Sequence, residues 1–320
     1  MLKVLITDDV HPLLIEGLQL RGYAVDFMPK ITAEETLAII SNYTGLIINS
    51  KIYCGEVLLN KATQLKWITR LGSGMEVIDT VLCNARGIQY ANTPEGNCDA
   101  VAEHALGLLL AMLRNIVKAN GEVLDHQWIR EANRGVGLAG KTIAILGYGH
   151  TGNAFAKLLA PFHVKVLAYD KYKSGFACSD ETQQQQYIYE STLDTIFNEA
   201  DILSLHLPLT EETHLWVNAS FLHSFKKKIY LLNTSRGKVL NTADALNLLE
   251  EGKIIAMALD VLENEKFSTL SSAELLLLKR LTNQSNVIIT PHIAGWTYES
   301  KEKIAAITLQ KIDQFKPFSS

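Results

Sequence analysis

The segment from Lys141 to Asp170, KTIAILGYGHTGNAFAKLLAPFHVKVLAYD, decides how the rest of the chain is interpreted. Its apolar run Thr142 to Leu146 has the length and composition of a buried parallel strand. Three glycines in GxGxxG spacing follow, namely Gly147, Gly149 and Gly152. An amphipathic helix and a second apolar strand come next, and an acid ends the segment. This order predicts a strand, a phosphate-binding turn, a helix and a second strand of a doubly wound α/β fold.

Each part of this motif has a physical role in binding a dinucleotide. The first glycine permits a tight turn, the second lets a pyrophosphate approach the backbone, and the third lets helix and strand pack closely. N–H groups at the helix start bind the anion. A carboxylate at the position of Asp170 accepts hydrogen bonds from an adenosine ribose, which favours NAD over NADP. Two alternatives stay open: a purely steric glycine turn, and a 2′-phosphate met by Lys171 and Lys173.

Composition excludes several classes of partner. The chain has 320 residues, enough for two domains, and 48% of them are hydrophobic. The net charge is only −4, which argues against a nucleic-acid or acidic-membrane partner. The four cysteines are scattered, without metal-ligand spacing, so no metal is expected and buried thiols are the default. A small molecule is the expected partner.

The start of the chain and its most apolar helix bear on localisation. Met1 leads almost directly into the strand Lys3 to Thr7, without the pattern of a signal peptide. The helix Val101 to Leu113 contains Glu103 and His104 and is too short to span a bilayer. We therefore expect a cytoplasmic protein.

Strand and helix signals alternate along the whole chain, in two blocks. Residues 1–97 alternate without a glycine fingerprint, and residues 98–295 contain the fingerprint followed by further alternation. A last helix, Tyr298 to Phe315, is expected to return to the first block. The sequence therefore predicts two Rossmann-like or flavodoxin-like doubly wound parallel-sheet domains with a cleft between them. We expect residues 1–97, completed by 296–320, to form the substrate-binding domain and residues 98–295 to form the NAD-binding domain.

Three further segments indicate how the domains and subunits are arranged along the chain. NTPEGN, from Asn92 to Asn97, is interpreted as a domain hinge. The four glutamines Gln183 to Gln186 are expected on a surface excursion. A single helix is expected from Ala100 to Asn120, apolar over much of its surface, which favours packing against a second subunit and a homodimer.

Titratable side chains follow three predicted strands of the second block, at the sheet edge where α/β proteins bind ligands. Arg236, Glu265 and His292 suit a 2-oxo acid: the arginine pairs with its carboxylate, the histidine protonates its carbonyl oxygen, and the glutamate orients the imidazole. Asp260 lies at the same edge. Each residue also has a plainer interpretation, as a surface arginine, a solvated acid, a structural histidine or a helix cap.

In the first block, loops follow two predicted strands. Gly72, Ser73 and Gly74 expose successive N–H groups suited to a carboxylate or phosphate, and a plain turn is the alternative. Ser50 and Lys51 follow the other strand.

These residues resemble the D-isomer-specific 2-hydroxyacid dehydrogenase family over essentially the whole chain. The resemblance is carried by LGYGHTG with Asp170, HLPLTEET from His206, NTSRG from Asn233, ALDVLENE from Ala258 and TPHIAGWT from Thr290. It implies that Arg236, Glu265 and His292 are the substrate arginine and the acid–base pair, with Gly72, Ser73 and Gly74 gripping the substrate carboxylate and Asp260 facing the nicotinamide amide. The implied cofactor contacts are Gly147, Gly149, His150, Thr151, Gly152, Asp170, His206, Pro208, Thr234, Ser235, Asp260 and Gly295.

Within the family the pattern is nearest to the phosphoglycerate dehydrogenases, so 3-phosphoglycerate is the first substrate expected. The chain ends at Ser320, and no regulatory domain is expected. Asn49 stands where relatives often carry an arginine, which leaves Lys51 and Arg70 as cations for a phosphate, and Lys266 and Trp296 also depart from the pattern. The alternatives are a hydroxypyruvate or glyoxylate reductase and, from another class, an NAD-sensing protein resembling the C-terminal binding protein corepressors.

Overall fold

The computed structural model describes residues 2–176 and 187–316. Gln183 to Gln186, expected on a surface excursion, and Cys178 lie outside the described residues. The chain divides into two compact units, Met1–Cys98 with Trp296–Ser320, and Asp99–Gly295.

The first unit is built on a parallel sheet. Its strands are β1 (Lys3–Ile6), β2 (Ala24–Phe27), β3 (Gly45–Ile48), β4 (Trp67–Arg70) and β5 (Gln89–Asn92), in the order β2-β1-β3-β4-β5. The intervening helices are α1 (Pro12–Leu20), α2 (Ala33–Ile39), α3 (Glu56–Lys61) and α4 (Thr80–Ala85). Strands β3 and β4 are buried at every residue, as expected for parallel strands covered on both faces.

Cysteines of the first unit are mostly core residues. Cys54 and Cys83 are fully buried in one hydrophobic cluster, and burial raises their pKa values to about 12 and about 11. Because the thiolate is the nucleophile, these two thiols are chemically inert at neutral pH. Cys98 is only half-buried, which corrects the expectation that all the thiols are buried.

The second unit is built on a larger parallel sheet. Its helices and strands are, in chain order, α5 (Cys98–Leu113), α6 (Ile116–Leu124), β6 (Thr142–Leu146), α7 (His150–Leu158), β7 (Lys165–Tyr169), β8 (Ile188–Glu190), α8 (Leu193–Glu199), β9 (Ile202–Leu205), α9 (Ala219–His223), β10 (Ile229–Asn233), α10 (Thr242–Glu250), β11 (Ile254–Leu259), α11 (Ser272–Thr282) and β12 (Val287–Ile289). The strand order in the described residues is β12-β11-β10-β9-β6-β7-β8. The order reverses between β6 and β9, and ligands bind at such switch points. The two sheets confirm the predicted pair of doubly wound parallel-sheet α/β domains.

The long apolar helix expected from Ala100 to Asn120 is wrong as a single helix. It breaks into α5 and α6, because Asn115 adopts left-handed backbone angles of φ 53° and ψ 31°. Asparagine tolerates this region better than most residues. Within the described residues no single helix is long and apolar enough to cross a membrane, and only the pair α5 and α6, bent by 63°, passes that test jointly.

The last helix, α12 (Tyr298–Asp313), packs on α1 within the first unit. Leu309 fills the space above Gly17, where an added Cβ would lie 2.3 Å from a leucine methyl group. Arg21 pairs with Asp313 at the far end of the contact, 2.5 Å between Nη2 and Oδ2. The C-terminal segment thereby completes the core of the first unit.

Candidate active site

The three glycines after β6 serve different purposes. Gly147 has a φ of +91°, and a Cβ on it would lie 2.4 Å from the carbonyl oxygen of His206. A Cβ on Gly152 would lie 2.1 Å from the carbonyl oxygen of Gly147. At Gly149, in contrast, a Cβ would meet nothing within 4 Å in the described structure. The first and third glycines are therefore required by packing, and the second keeps space open beside the backbone.

Helix α7 begins directly at this open space. Gly149 is its N-cap residue, and no side chain of the described residues caps the helix. The first turn contains His150, Thr151 and Gly152. An uncapped helix start presents N–H groups and the positive end of the helix dipole, which together favour an anion.

Asp170 follows β7 and is tied to the glycine turn. Its Oδ2 accepts from the N–H of Tyr148 at 2.9 Å, and its Oδ1 accepts from the N–H of Tyr172 at 3.0 Å. Of its two neighbouring cations, Lys171 pairs with Glu212 at 2.8 Å, and Lys173 donates to the carbonyl of Tyr148 at 3.1 Å. Both lysines that could meet a 2′-phosphate thus have partners within the chain.

Two polar side chains at the ends of β9 and β10 are buried without a complete set of partners. The Nε2 of His206 lies 2.8 Å from the Ser204 hydroxyl, whereas its Nδ1 has no hydrogen-bond partner among the described residues. Thr234 Oγ1 is also buried without a hydrogen-bond partner among the described residues. Burial lowers the pKa of His206 to about 3, so its imidazole is neutral. Buried polar atoms without partners are rare, and bound cofactors commonly satisfy them.

Ser235 and Arg236 form a tight turn after β10. Ser235 donates both its N–H and its hydroxyl to Asn233 Oδ1, at 3.0 and 2.9 Å. The half-buried Arg236 donates from Nη1 to the carbonyl of Ser235 at 2.8 Å. On the loop after β9, Pro208 is exposed and its carbonyl accepts from Thr213 at 2.6 Å.

His292 and Glu265 are brought together. The His292 Nδ1 lies 2.8 Å from Glu265 Oε2, and the two side chains are 47% and 43% exposed. His292 has a φ of +56°, an unusual backbone conformation for a side chain of this size. Such outliers concentrate at functional sites.

Asp260, which follows β11, is fully buried and bonded to the loop that carries His292. Its Oδ1 accepts from Thr290 Oγ1 at 2.5 Å and from the N–H of Ile293 at 3.0 Å, and its Oδ2 accepts from the N–H of Ala294 at 2.8 Å. Burial alone would raise the pKa of Asp260, but the hydrogen bonds from His104, Thr290 and the two amides outweigh it and lower the pKa. The Asp260 carboxylate, which was expected to face the nicotinamide amide, thus accepts hydrogen bonds from residues of its own chain. Gly295, the next residue of the loop, is half-buried.

In the first unit, a buried arginine organises the loops after β3 and β4. Arg70 donates to the carbonyl of Asn49 at 3.3 Å and to the carbonyl of Gly74 at 3.0 Å. Lys51 and Ser50 are exposed, and the Lys51 ammonium donates to the carbonyl of Pro29 at 2.8 Å.

The loop Gly72–Gly74 offers fewer donors than expected. The N–H of Gly72 donates to Thr93 Oγ1 at 2.9 Å, so it is occupied. The N–H groups of Ser73 and Gly74 have no acceptor within the described residues. Two amides, not three, remain for a carboxylate.

Sequence reasoning missed four residues that organise these sites. Three of them, Thr93, Ser204 and Thr290, hydrogen-bond a predicted site residue. The fourth, His104, hydrogen-bonds Thr290. A single histidine on the apolar helix α5 was a signal for His104. The others are ordinary hydroxyl residues whose roles depend on contacts between distant segments.

Comparison with known proteins places this geometry in a family. Residues 106–294 match the model of the D-isomer specific 2-hydroxyacid dehydrogenase NAD binding domain. The chain is 32% identical over 312 residues to a D-3-phosphoglycerate dehydrogenase of Synechocystis sp., covering 98% of the chain but 54% of that protein. The chain therefore spans about half the length of this relative.

Two relatives of similar length carry other names. A hydroxypyruvate reductase of Thermotoga maritima is 32% identical over 87% of both chains. A glyoxylate reductase of Thermofilum pendens is 36% identical over 87% of this chain and 80% of that protein. The crystal structure of a D-lactate dehydrogenase from Aquifex aeolicus complexed with NAD and lactic acid superposes with a TM-score of 0.83, at 26% identity and over 98% and 95% of the two chains. The resemblance drawn from the sequence motifs is confirmed: the chain belongs to the D-isomer specific 2-hydroxyacid dehydrogenase family, and its second unit contains the NAD-binding domain of that family.

Proposed function

We propose that this protein interconverts a D-2-hydroxy acid and its 2-oxo acid with NAD, and that the substrate is small and unphosphorylated. The observation that carries the reaction is the hydrogen bond between His292 and Glu265. Glu265 lies in the segment after β11, and His292 lies in the segment after β12. Both lie in the unit that matches the NAD-binding domain of the family.

The residues around the glycine turn fit NAD. The open space at Gly149 and the uncapped start of α7 suit a pyrophosphate, with His150 and Thr151 supplying N–H groups. Asp170 suits the adenosine ribose, because its carboxylate is held beside the turn and retains further acceptor capacity. The unsatisfied atoms of His206 and Thr234 suit polar groups of the same cofactor. The family resemblance adds further proposed cofactor contacts, namely Gly147, Gly152, Pro208, Ser235, Asp260 and Gly295. NADH, when bound, supplies the hydride for reduction of a carbonyl.

His292 has the chemistry of the proton donor. During reduction it gives a proton from its imidazole to the carbonyl oxygen of the 2-oxo acid, and during oxidation it takes that proton back. Glu265 accepts a hydrogen bond from Nδ1, which orients the ring and stabilises its charged form. Arg236 pairs with the substrate carboxylate. In the first unit, the amides of Ser73 and Gly74 are by themselves suited to an anionic group.

The choice of substrate follows from the cations of the first unit. Arg70 is buried against two main-chain carbonyls, and Lys51 is bonded to Pro29. A substrate phosphate would have to draw Lys51 away from that carbonyl, and Asn49 supplies no charge. These contacts favour hydroxypyruvate or glyoxylate over 3-phosphohydroxypyruvate, which reverses the order expected from the sequence.

A substrate panel tests both parts of the proposal. NADH consumption is measured with hydroxypyruvate, glyoxylate and 3-phosphohydroxypyruvate, for the wild type, Lys51→Ala and the exposed control Lys61→Ala. We expect kcat/KM to be at least about tenfold higher for an unphosphorylated acid, with neither lysine variant changing it more than about twofold. Preference for the phosphorylated acid, with a selective loss in Lys51→Ala, would instead support 3-phosphoglycerate. NADH binding without turnover of any acid would support the corepressor-like sensor.

We also propose a homodimer formed through α6. This helix has no buried residue, and its exposed apolar side chains continue into the following segment: Ile116, Val117, Val123, Leu124, Trp128 and Ile129. Trp128 is 82% exposed and Leu124 71%. A contiguous patch of this kind is typical of an interface, and a second copy of the chain supplies a matching surface. We expect sedimentation to give a dimer for the wild type and a monomer for Trp128→Glu with Leu124→Glu, whereas a monomeric wild type would contradict the proposal.

A further inference from the structure

A histidine on α5, His104, closes a chain of hydrogen bonds that ends at the loop carrying His292. Its Nε2 lies 3.0 Å from Thr290 Oγ1 and 3.5 Å from Asp260 Oδ1. The His104 side chain is 22% exposed, and that of Asp260 is inaccessible. The three residues come from α5 and from the ends of β11 and β12, so distant parts of the sequence converge here.

The single hydrogen of the Thr290 hydroxyl determines which atom donates in each of these hydrogen bonds. A hydroxyl has one hydrogen, and Thr290 donates it to Asp260 Oδ1 at 2.5 Å. The contact between His104 Nε2 and Thr290 Oγ1 must then be an N–H donating to the hydroxyl oxygen. His104 therefore carries a hydrogen on Nε2, and it fixes the rotation of the threonine hydroxyl.

Asp260 connects Thr290 to the backbone around His292. Its carboxylate holds the two amides that directly follow His292 in the chain, those of Ile293 and Ala294, and its main-chain carbonyl accepts from the N–H of His292 at 2.8 Å. The loop is thereby fixed on both sides of His292. The left-handed backbone of His292 lies among these contacts, and its ring meets Glu265.

We propose that His104 is a positioning residue for the acid–base pair, acting through Thr290 and Asp260 on the backbone of His292. The proposal rests on the proposed function, because it assigns importance to the placement of His292. It concerns placement only, since His104 contacts neither His292 nor Glu265 in the hydrogen bonds of the described residues.

Paired variants separate positioning from general stability. His104→Leu removes the donor, Thr290→Val removes the hydroxyl, and Thr290→Ser retains it. His223→Leu, at an exposed histidine on α9, is the control. We expect kcat to fall by about tenfold or more in His104→Leu and Thr290→Val, because small misplacements of reacting groups slow catalysis strongly. The dissociation constant of NADH should change less than about twofold, Thr290→Ser should retain most of the activity, and the double variant should be no worse than Thr290→Val alone.

An activity-independent measurement keeps the two proposals distinguishable. Histidine-selective ¹⁵N NMR of the protein without cofactor should show a hydrogen on Nε2 of His104, and a hydrogen-bonded Nδ1–H of His292 that is lost in His104→Leu. Unchanged kcat in His104→Leu, or an unchanged His292 signal, would overturn the positioning role while leaving the proposed function intact. Lack of turnover in the wild type would overturn the proposed function, and the NMR signal would still decide the role of His104. If His104→Leu does not fold, His104→Met compared with His104→Gln, which keeps an N–H donor, gives the same decision.

Discussion

The Nδ1 of His292 lies 2.8 Å from Oε2 of Glu265, in a pair that remains nearly half exposed. Exposed ion pairs and hydrogen bonds of this kind contribute little to folding, about 0–1 kcal/mol. The pair therefore contributes little to stability, and we propose that its role is the proton transfer assigned to His292.

Replacing the glutamate separates these two explanations. Glu265→Gln keeps the shape and an acceptor but removes the charge that stabilises a protonated imidazole. We expect kcat to fall by about 10- to 100-fold, with a free energy of unfolding within about 1 kcal/mol of the wild type. Glu251→Gln, at an exposed acid, is the control. A large loss of stability with normal kcat would mean that the pair is structural.

The glycine turn gives a matched pair of substitutions. Gly152→Ala should destabilise the protein by about 1–3 kcal/mol, because its methyl group would lie 2.1 Å from a backbone oxygen. Gly149→Ala should cost less stability, at most about 1 kcal/mol for a poorer N-cap, since its Cβ meets nothing nearby. It should nevertheless weaken NADH binding by roughly tenfold or more, about 1.4 kcal/mol. Thermal unfolding and fluorescence titration with NADH measure the two effects. Equal stability losses in both variants would contradict the different purposes assigned to these glycines.

Asp170 should set the preference for NADH over NADPH. Asp170→Asn removes the charge that would repel a 2′-phosphate and weakens the acceptor for the ribose. We expect the NADH dissociation constant to rise by about tenfold, consistent with loss of a charged hydrogen bond, while that of NADPH stays constant or falls. Glu211→Gln, at an exposed acid, is the control. A parallel change for both cofactors would argue against this role.

His206 predicts a pH dependence of stability. Its pKa is about 3 in the folded protein and near 6.5 when exposed, so the unfolded state binds more protons between these values. Its contribution to stability is therefore intact above about pH 6.5 and is lost progressively as the pH falls toward 3, by up to about 1.4 kcal/mol per pH unit. Urea unfolding from pH 7 to pH 5 should show a smaller decline in His206→Gln than in the wild type. Identical slopes would indicate that this imidazole is not buried in its neutral form.

Local sequence was sufficient to predict the fold because its signals are short-range. The strand Thr142–Leu146 has the bounds expected from its apolar run. The glycine turn and the acid of Lys141 to Asp170 define a complete supersecondary unit. The break at Asn115 escaped prediction because apolar residues continue on both sides of it, and a left-handed asparagine leaves no hydrophobic signature.

The placement of the charged residues at strand ends was predictable, whereas the hydrogen bonds that hold them were not. Strand ends carry Arg236, Asp260 and His292 to one sheet edge, and topology alone implies that much. Whether a given amide or carboxylate is already bonded depends on contacts between distant segments. Gly72 is occupied by Thr93, for example, and Asp260 by the loop after β12.

The most direct measurement is single-turnover reduction of a 2-oxo acid at saturating NADH by His292→Asn. Asparagine tolerates the left-handed backbone of this position, so the variant removes the imidazole with little change in the fold. Proton transfer by a positioned side chain typically contributes 10²- to 10⁴-fold, and we expect a rate loss of about that size with NADH binding unchanged. A rate within about threefold of the wild type would contradict the assignment of His292 as the proton donor.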